Sequence, residues 1–128
     1  MSNTIRYQKL DRLQREPELK GEYIMKQVVN GKTYNTETAE MICEYYYSNP
    51  GDFHYVDEAL YVTKKGNYFI AGEGGAMSKY AKSLGNNSIG GSSGIEALSK
   101  IEALEYAQEN GADVEDIEKY FADMIQEA

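Results

Sequence analysis

A chain of 128 residues with 41% hydrophobic content predicts a single globular domain whose core needs no staples. A formal net charge of −8 argues against unspecific binding to DNA, and Cys43, the one cysteine, excludes an internal disulfide and suits a reducing cytoplasm. No apolar run reaches the ~18 residues of a membrane span, and Met1–Arg6 lacks the apolar stretch of a secretory signal, so neither membrane nor export is expected.

Residues 4–16 predict a mildly basic helix, with Ile5, Leu10 and Leu13 on a thin apolar stripe and Pro17 and Gly21 to end it. Residues 1–20 thus read as an N-terminal helical arm, and 21–128 as one α+β domain. Asn30-Gly31 between Glu22–Val29 and Lys32–Tyr34 predicts a hairpin, because both central residues of a type I′ turn need φ > 0. Thr36–Tyr47 is open between helix and strand. Met41, Ile42, Tyr45 and Tyr46 have helical spacing, whereas the Tyr45-Tyr46-Tyr47 run favours a strand. Ser48–Asp52 is a turn. His54, between Phe53 and Tyr55, is expected as a half-buried aromatic contact, and Cys43 as a small buried hydrophobe. Tyr55–Thr63 and Asn67–Ala71, flanking Lys64-Lys65-Gly66, alternate apolar and polar residues and predict a second hairpin. Twelve tyrosines and no tryptophan suit half-buried sheet faces.

Residues 72–94 hold seven of the twelve glycines and read as functional or turning loops around a short helical piece at Met77–Leu84. They match neither a dinucleotide fingerprint nor a P-loop, and Glu73 would repel phosphate. Gly90–Gly94 offers at most a generic anion nest, with Lys79 and Lys82 nearby in sequence. Lys64, Lys65, Lys79 and Lys82 with Tyr61, Tyr68 and Tyr80 give only weak support for nucleic-acid binding. No motif calls for a cofactor or a metal. A carboxylate pair for metal-assisted cleavage would have to come from residues such as Glu58 and Glu73, which lie just outside the second hairpin and could face each other across its open end, although nothing in their spacing says that they converge.

Ser99-Lys100-Ile101-Glu102 is a capping box that opens a helix to Asn110, and Gly111 stops it. Asp113 caps a last helix with Val114, Ile117, Tyr120, Phe121, Met124 and Ile125 on one side. Residues 1–95 balance 11 cations against 11 anions, so 96–128, with 10 carboxylates against Lys100 and Lys119, carry the whole net charge. Glu102, Glu105, Glu109, Glu115, Glu118 and Asp123 are left for solvent or for a partner. A field of one sign on one module attracts basic protein surfaces.

Two strings are distinctive, Lys32-Thr33-Tyr34-Asn35-Thr36-Glu37-Thr38-Ala39 and the run from Glu58 to Gly75, and Ser78-Lys79-Tyr80-Ala81 and Gly85-Asn86-Asn87-Ser88 accompany them. Together they resemble a family of small, mostly uncharacterised proteins of bacterial phages and mobile elements. The resemblance covers about residues 31–107. It departs at Tyr106, where the family typically shows Trp, and at Ala97, where it shows Pro. Small acidic proteins of such elements include type II anti-CRISPR inhibitors. The resemblance implies a non-enzymatic inhibitor in the cytoplasm of the host bacterial cell.

The expected fold is α+β: a small antiparallel sheet of two hairpins packed against a C-terminal αα-hairpin. The leading function is stoichiometric binding. Glu102, Glu105, Glu109, Glu115 and Glu118, with Glu73, would dock on the basic groove of a Cas9-type effector carrying its guide RNA. The alternatives are a metal-assisted nuclease-like or nucleotide-handling accessory enzyme, and an adaptor for another host protein. A homodimer stays open.

Overall fold

The computed structural model describes residues 25–128. The predicted N-terminal arm lies outside the described residues. The chain order is β1 (Lys26–Val29), β2 (Lys32–Asn35), β3 (Glu40–Tyr47), β4 (Val56–Val62), β5 (Tyr68–Gly74), β6 (Lys82–Gly85), β7 (Ser88–Gly90), β8 (Ser92–Leu98), α1 (Lys100–Glu109) and α2 (Val114–Phe121), which a 3₁₀ turn at Ala122–Met124 follows. The α+β class is as expected.

The sheets differ from expectation. The two predicted hairpins do not share a sheet. β1 and β2 pair only with each other, while β3-β4-β5-β8 form an antiparallel four-stranded sheet and β6-β7 a small separate hairpin. Thr36–Tyr47 resolves as a strand from Glu40. A bulge between Met41 and Cys43 brings both Ile42 and Cys43 to one core. Residues 72–94 are not the expected long loops around a helical piece. Most are extended, and Ser92–Leu98 completes the main sheet beside β5, with Gly74 opposite Ser92.

Each face of the main sheet is covered by a different element, because side chains alternate across a strand. On one face, Ile42, Leu60, Tyr68 and Ile70 pack under the helices against Ala103, Ala107 and Phe121. Tyr68 stacks on Phe121 with ring centroids 5.4 Å apart. On the other, Ala59, Tyr61, Phe69 and Ala71 pack beneath Tyr34 of the first hairpin. Phe69 meets Tyr61 face to face at 5.1 Å and Tyr34 edge-on at 5.2 Å. The sheet is therefore the middle of three layers.

The helices follow their sequence signals. Ser99 and Glu102 form the capping box, and Gly111 stands at φ +75° beyond Asn110. Asp113 occupies the N-cap of α2 without a side-chain bond. The apolar side of α2 is narrower than its periodicity predicts. Ile117, Tyr120, Phe121 and Met124 join the core, while Val114 and Ile125 are exposed.

Phe121 is wholly buried at the far end of the chain's last helix. Phe121→Ala should cost about 3–5 kcal/mol, since it removes a large ring from a packed site. Urea unfolding measures it, and an unchanged midpoint would contradict the packing described.

Candidate functional site

Glu58 stands in the middle of β4 and is 3% exposed. Three donors meet it. The Tyr106 hydroxyl, from α1, donates to Oε2 at 2.7 Å. The Tyr80 hydroxyl donates to Oε1 at 2.7 Å. The Lys79 ammonium lies 3.0 Å from Oε1. Space for this carboxylate exists because its partner across the ladder is Gly72, where a Cβ would fall 2.3 Å from the Cβ of Glu58. Burial and then the charge of Glu58 push both phenols well above their ordinary range. The cluster ties a helix, a strand and the loop at 75–81 to one carboxylate. The two phenols reach that carboxylate from within the fold and Lys79 from its half-exposed rim, so it is a structural anchor.

Glu73 does not face Glu58. In register Glu73 is opposite Asp57, one rung further along, so it points to the other side of the sheet. There, burial and the charge of Glu73 push the Tyr55 phenol up to about 12. The two carboxylates that a metal-assisted reading would need together are thus separated by the sheet itself. No cluster of three or more His, Cys, Asp or Glu suited to a metal occurs among the described residues. Nor does Glu73 share a face with the helices, so it drops out of the expected docking set.

The other five members of that set lie on the two helices. Glu102, Glu105 and Glu109 follow one another along α1, Glu115 and Glu118 along α2, and all five are exposed. Glu102 is partly engaged, since its Oε1 accepts the Ser99 backbone N–H at 2.8 Å. The segment's two lysines are taken up elsewhere. Lys100 pairs with Asp123 at 2.8 Å, and Lys119 with Glu40 at 3.2 Å. Among the described residues, Glu105, Glu109, Glu115 and Glu118 have no salt bridge.

Other expectations change. His54 is exposed, its Nδ1 3.4 Å from Asp52 Oδ1, rather than half-buried. Lys79 is drawn to Glu58, and Ser92–Gly94 lie in the β8 ladder, so the generic anion nest does not form. Cys43 is partly buried against the helix-side core, and burial pushes its thiol up to about 12. Sequence reasoning missed the anchor itself. Tyr80 and Tyr106 are 22 and 48 residues from Glu58, beyond any local pattern.

Tyr106→Phe should lower stability by about 1.5–3 kcal/mol at neutral pH, because it removes a hydrogen bond to a buried charge. A pH effect accompanies it. The fold holds Cys43, Tyr55, Tyr80 and Tyr106 protonated above their ordinary values of 9.0 and 10.0. The unfolded chain then binds fewer protons than the folded one, so stability is full below about pH 9 and falls as pH rises towards 12. Urea midpoints at neutral and alkaline pH test this. A level profile up to pH 11 would refute it, and Tyr106→Phe should make the fall shallower.

No helix among the described residues is long and apolar enough to cross a membrane. Comparison of the chain with protein-family models, curated proteins and solved structures finds no match.

Proposed function

We propose that the protein acts by stoichiometric binding in the cytoplasm of a host bacterium. It serves as an anti-CRISPR inhibitor whose helical face docks on the basic nucleic-acid groove of a Cas9-type effector holding its guide RNA. The observation that carries the reading is the row of exposed carboxylates on α1 and α2, with both lysines of the segment neutralised away from it. A groove built to hold phosphates presents Arg and Lys, and a carboxylate offers Arg the same bidentate geometry. The face is also held in place. Ala103, Ala107 and Phe121 are fully buried, and Tyr106 is tied to Glu58. Ordered charges lose little freedom on docking. The resemblance to proteins of phages and mobile elements supports the choice of partner.

A metal-assisted enzyme draws less support, since Glu58 and Glu73 point to opposite sides of the sheet. An adaptor for another basic host protein would use the same helical face.

The test is DNA cleavage by a purified effector–guide complex. Wild-type protein in slight excess should block cleavage, and binding should weaken with salt. Glu105→Lys with Glu109→Lys should abolish inhibition and leave the circular dichroism spectrum unchanged. Full inhibition by the folded double variant would overturn the acidic-face reading. Failure of the wild type to bind the effector at low salt would overturn the choice of partner.

A further inference from the structure

The tips of the first hairpin and of β4-β5 meet at one end of the molecule. Between them lies a cleft of about 460 Å³ lined by Lys32, Lys64 and Lys65, with threonine hydroxyls and no carboxylate. The volume is that of a small-ligand site. The tips are fastened together, since the Lys32 ammonium donates to Asn67 Oδ1 at 3.1 Å. The turn carrying Lys64 and Lys65 is itself fixed. Thr63 N donates to Asn67 O at 2.8 Å, Gly66 N to Thr63 O at 2.9 Å, and Asn67 N to the Thr63 hydroxyl at 3.0 Å. Three lysines from two hairpins thus line one cleft whose backbone is held by hydrogen bonds. None has an ion pair among the described residues.

Gathering three like charges is unfavourable unless an anion is present to offset the repulsion. We propose that this cleft binds phosphate. Lysine is a compact point charge that suits a tetrahedral anion, and the threonine hydroxyls add donors. The −8 net charge does not decide the matter. At physiological ionic strength charges beyond about 8 Å are largely screened, so the lining residues set the local sign. The cleft is not built to read bases. Its aromatic lining residue, Tyr34, is 5% exposed and set edge-on against Phe69, so it offers no face for stacking. The phosphate therefore comes either from a nucleic-acid backbone, bound without sequence preference, or from a free nucleotide or inorganic phosphate. This inference stands whether or not the acidic helices dock on an effector.

The experiment uses the full chain, from physiological ionic strength upward, with a labelled single-stranded RNA, and with ATP, inorganic phosphate and polyglutamate as competitors. RNA should bind with a slope of log K against log salt near −2, as expected for about three phosphate contacts on a single strand. Lys32→Gln with Lys64→Gln and Lys65→Gln should weaken binding at least tenfold, with an unchanged circular dichroism spectrum. Glu105→Gln with Glu109→Gln should not weaken it, which separates the cleft from the acidic face. Displacement of the RNA by ATP or phosphate, at concentrations comparable to the RNA's own phosphates, assigns a small ligand. Resistance to both assigns the polymer backbone. Wild-type affinity in the triple variant, no binding of RNA, ATP or phosphate by the wild type, or equal competition by polyglutamate would each overturn the phosphate assignment.

Discussion

A carboxylate in the middle of a sheet is a costly thing to bury, and the arrangement around Glu58 follows from that cost. Removing one ion from water costs several kcal/mol unless donors replace the hydration shell. Glu58 obtains them from Tyr106 on α1 and from Tyr80 and Lys79 in the loop before β6. Each donor constrains its element. Tyr106 fixes the rotation of α1 about its axis, which turns Ala103 and Ala107 inward and leaves Glu105 and Glu109 outside. Gly72 has to lack a side chain for the carboxylate to fit. The orientation of an exposed acidic surface is thus set from beneath by a buried acidic group.

Charge is segregated by element. The helices carry carboxylates in excess, and the hairpin tips carry lysines without acidic neighbours lining their cleft. Apart from Lys79 at Glu58, the lysines that pair, Lys100 with Asp123 and Lys119 with Glu40, do so at exposed sites where the pairs are worth little to stability. Their effect is to remove cations from the acidic surface. A molecule with such unlike patches is oriented by the field of a charged partner before contact, which affects encounter rates more than final affinity.

Much of the fold was legible in the sequence because its signals are local. The Ser99–Glu102 capping box, Gly111, Asn30-Gly31 and Lys64-Lys65-Gly66 each specify backbone geometry within a few residues, and each marks the element it predicts. Residues 72–94 were not legible, because several glycines there serve close approach, whereas Gly85, at φ +88°, serves turning. Gly72 lies against Glu58, and a Cβ on Gly91 would meet the Gly74 carbonyl at 2.2 Å. Composition does not separate these two uses. The turn at Asn86-Asn87, with φ of 49° and 64°, is an asparagine version of the Asn-Gly signal and was readable in principle. The acidic stripe was visible as a count of charges. The Glu58 anchor and the lysine cleft were not, since Lys32 and Asn67 are 35 residues apart and only the packing of the first hairpin on the main sheet brings them together.

The ladder between β5 and β8 has a consequence for how the chain tolerates change. Gly74 pairs with Ser92, so everything between them is an excursion that leaves the sheet and returns one rung away. Its outer part, the β6-β7 hairpin, is exposed along most of its length, Leu84 and Ile89 included. Its inner part supplies Lys79 and Tyr80 to Glu58. Lengthening a loop whose ends are already held together costs only about 0.6 kcal/mol per doubling. The outer hairpin can therefore be exchanged or extended by insertion without loosening the sheet, whereas the inner turn cannot. One excursion thus holds both the most replaceable segment of the described chain and one of its least replaceable.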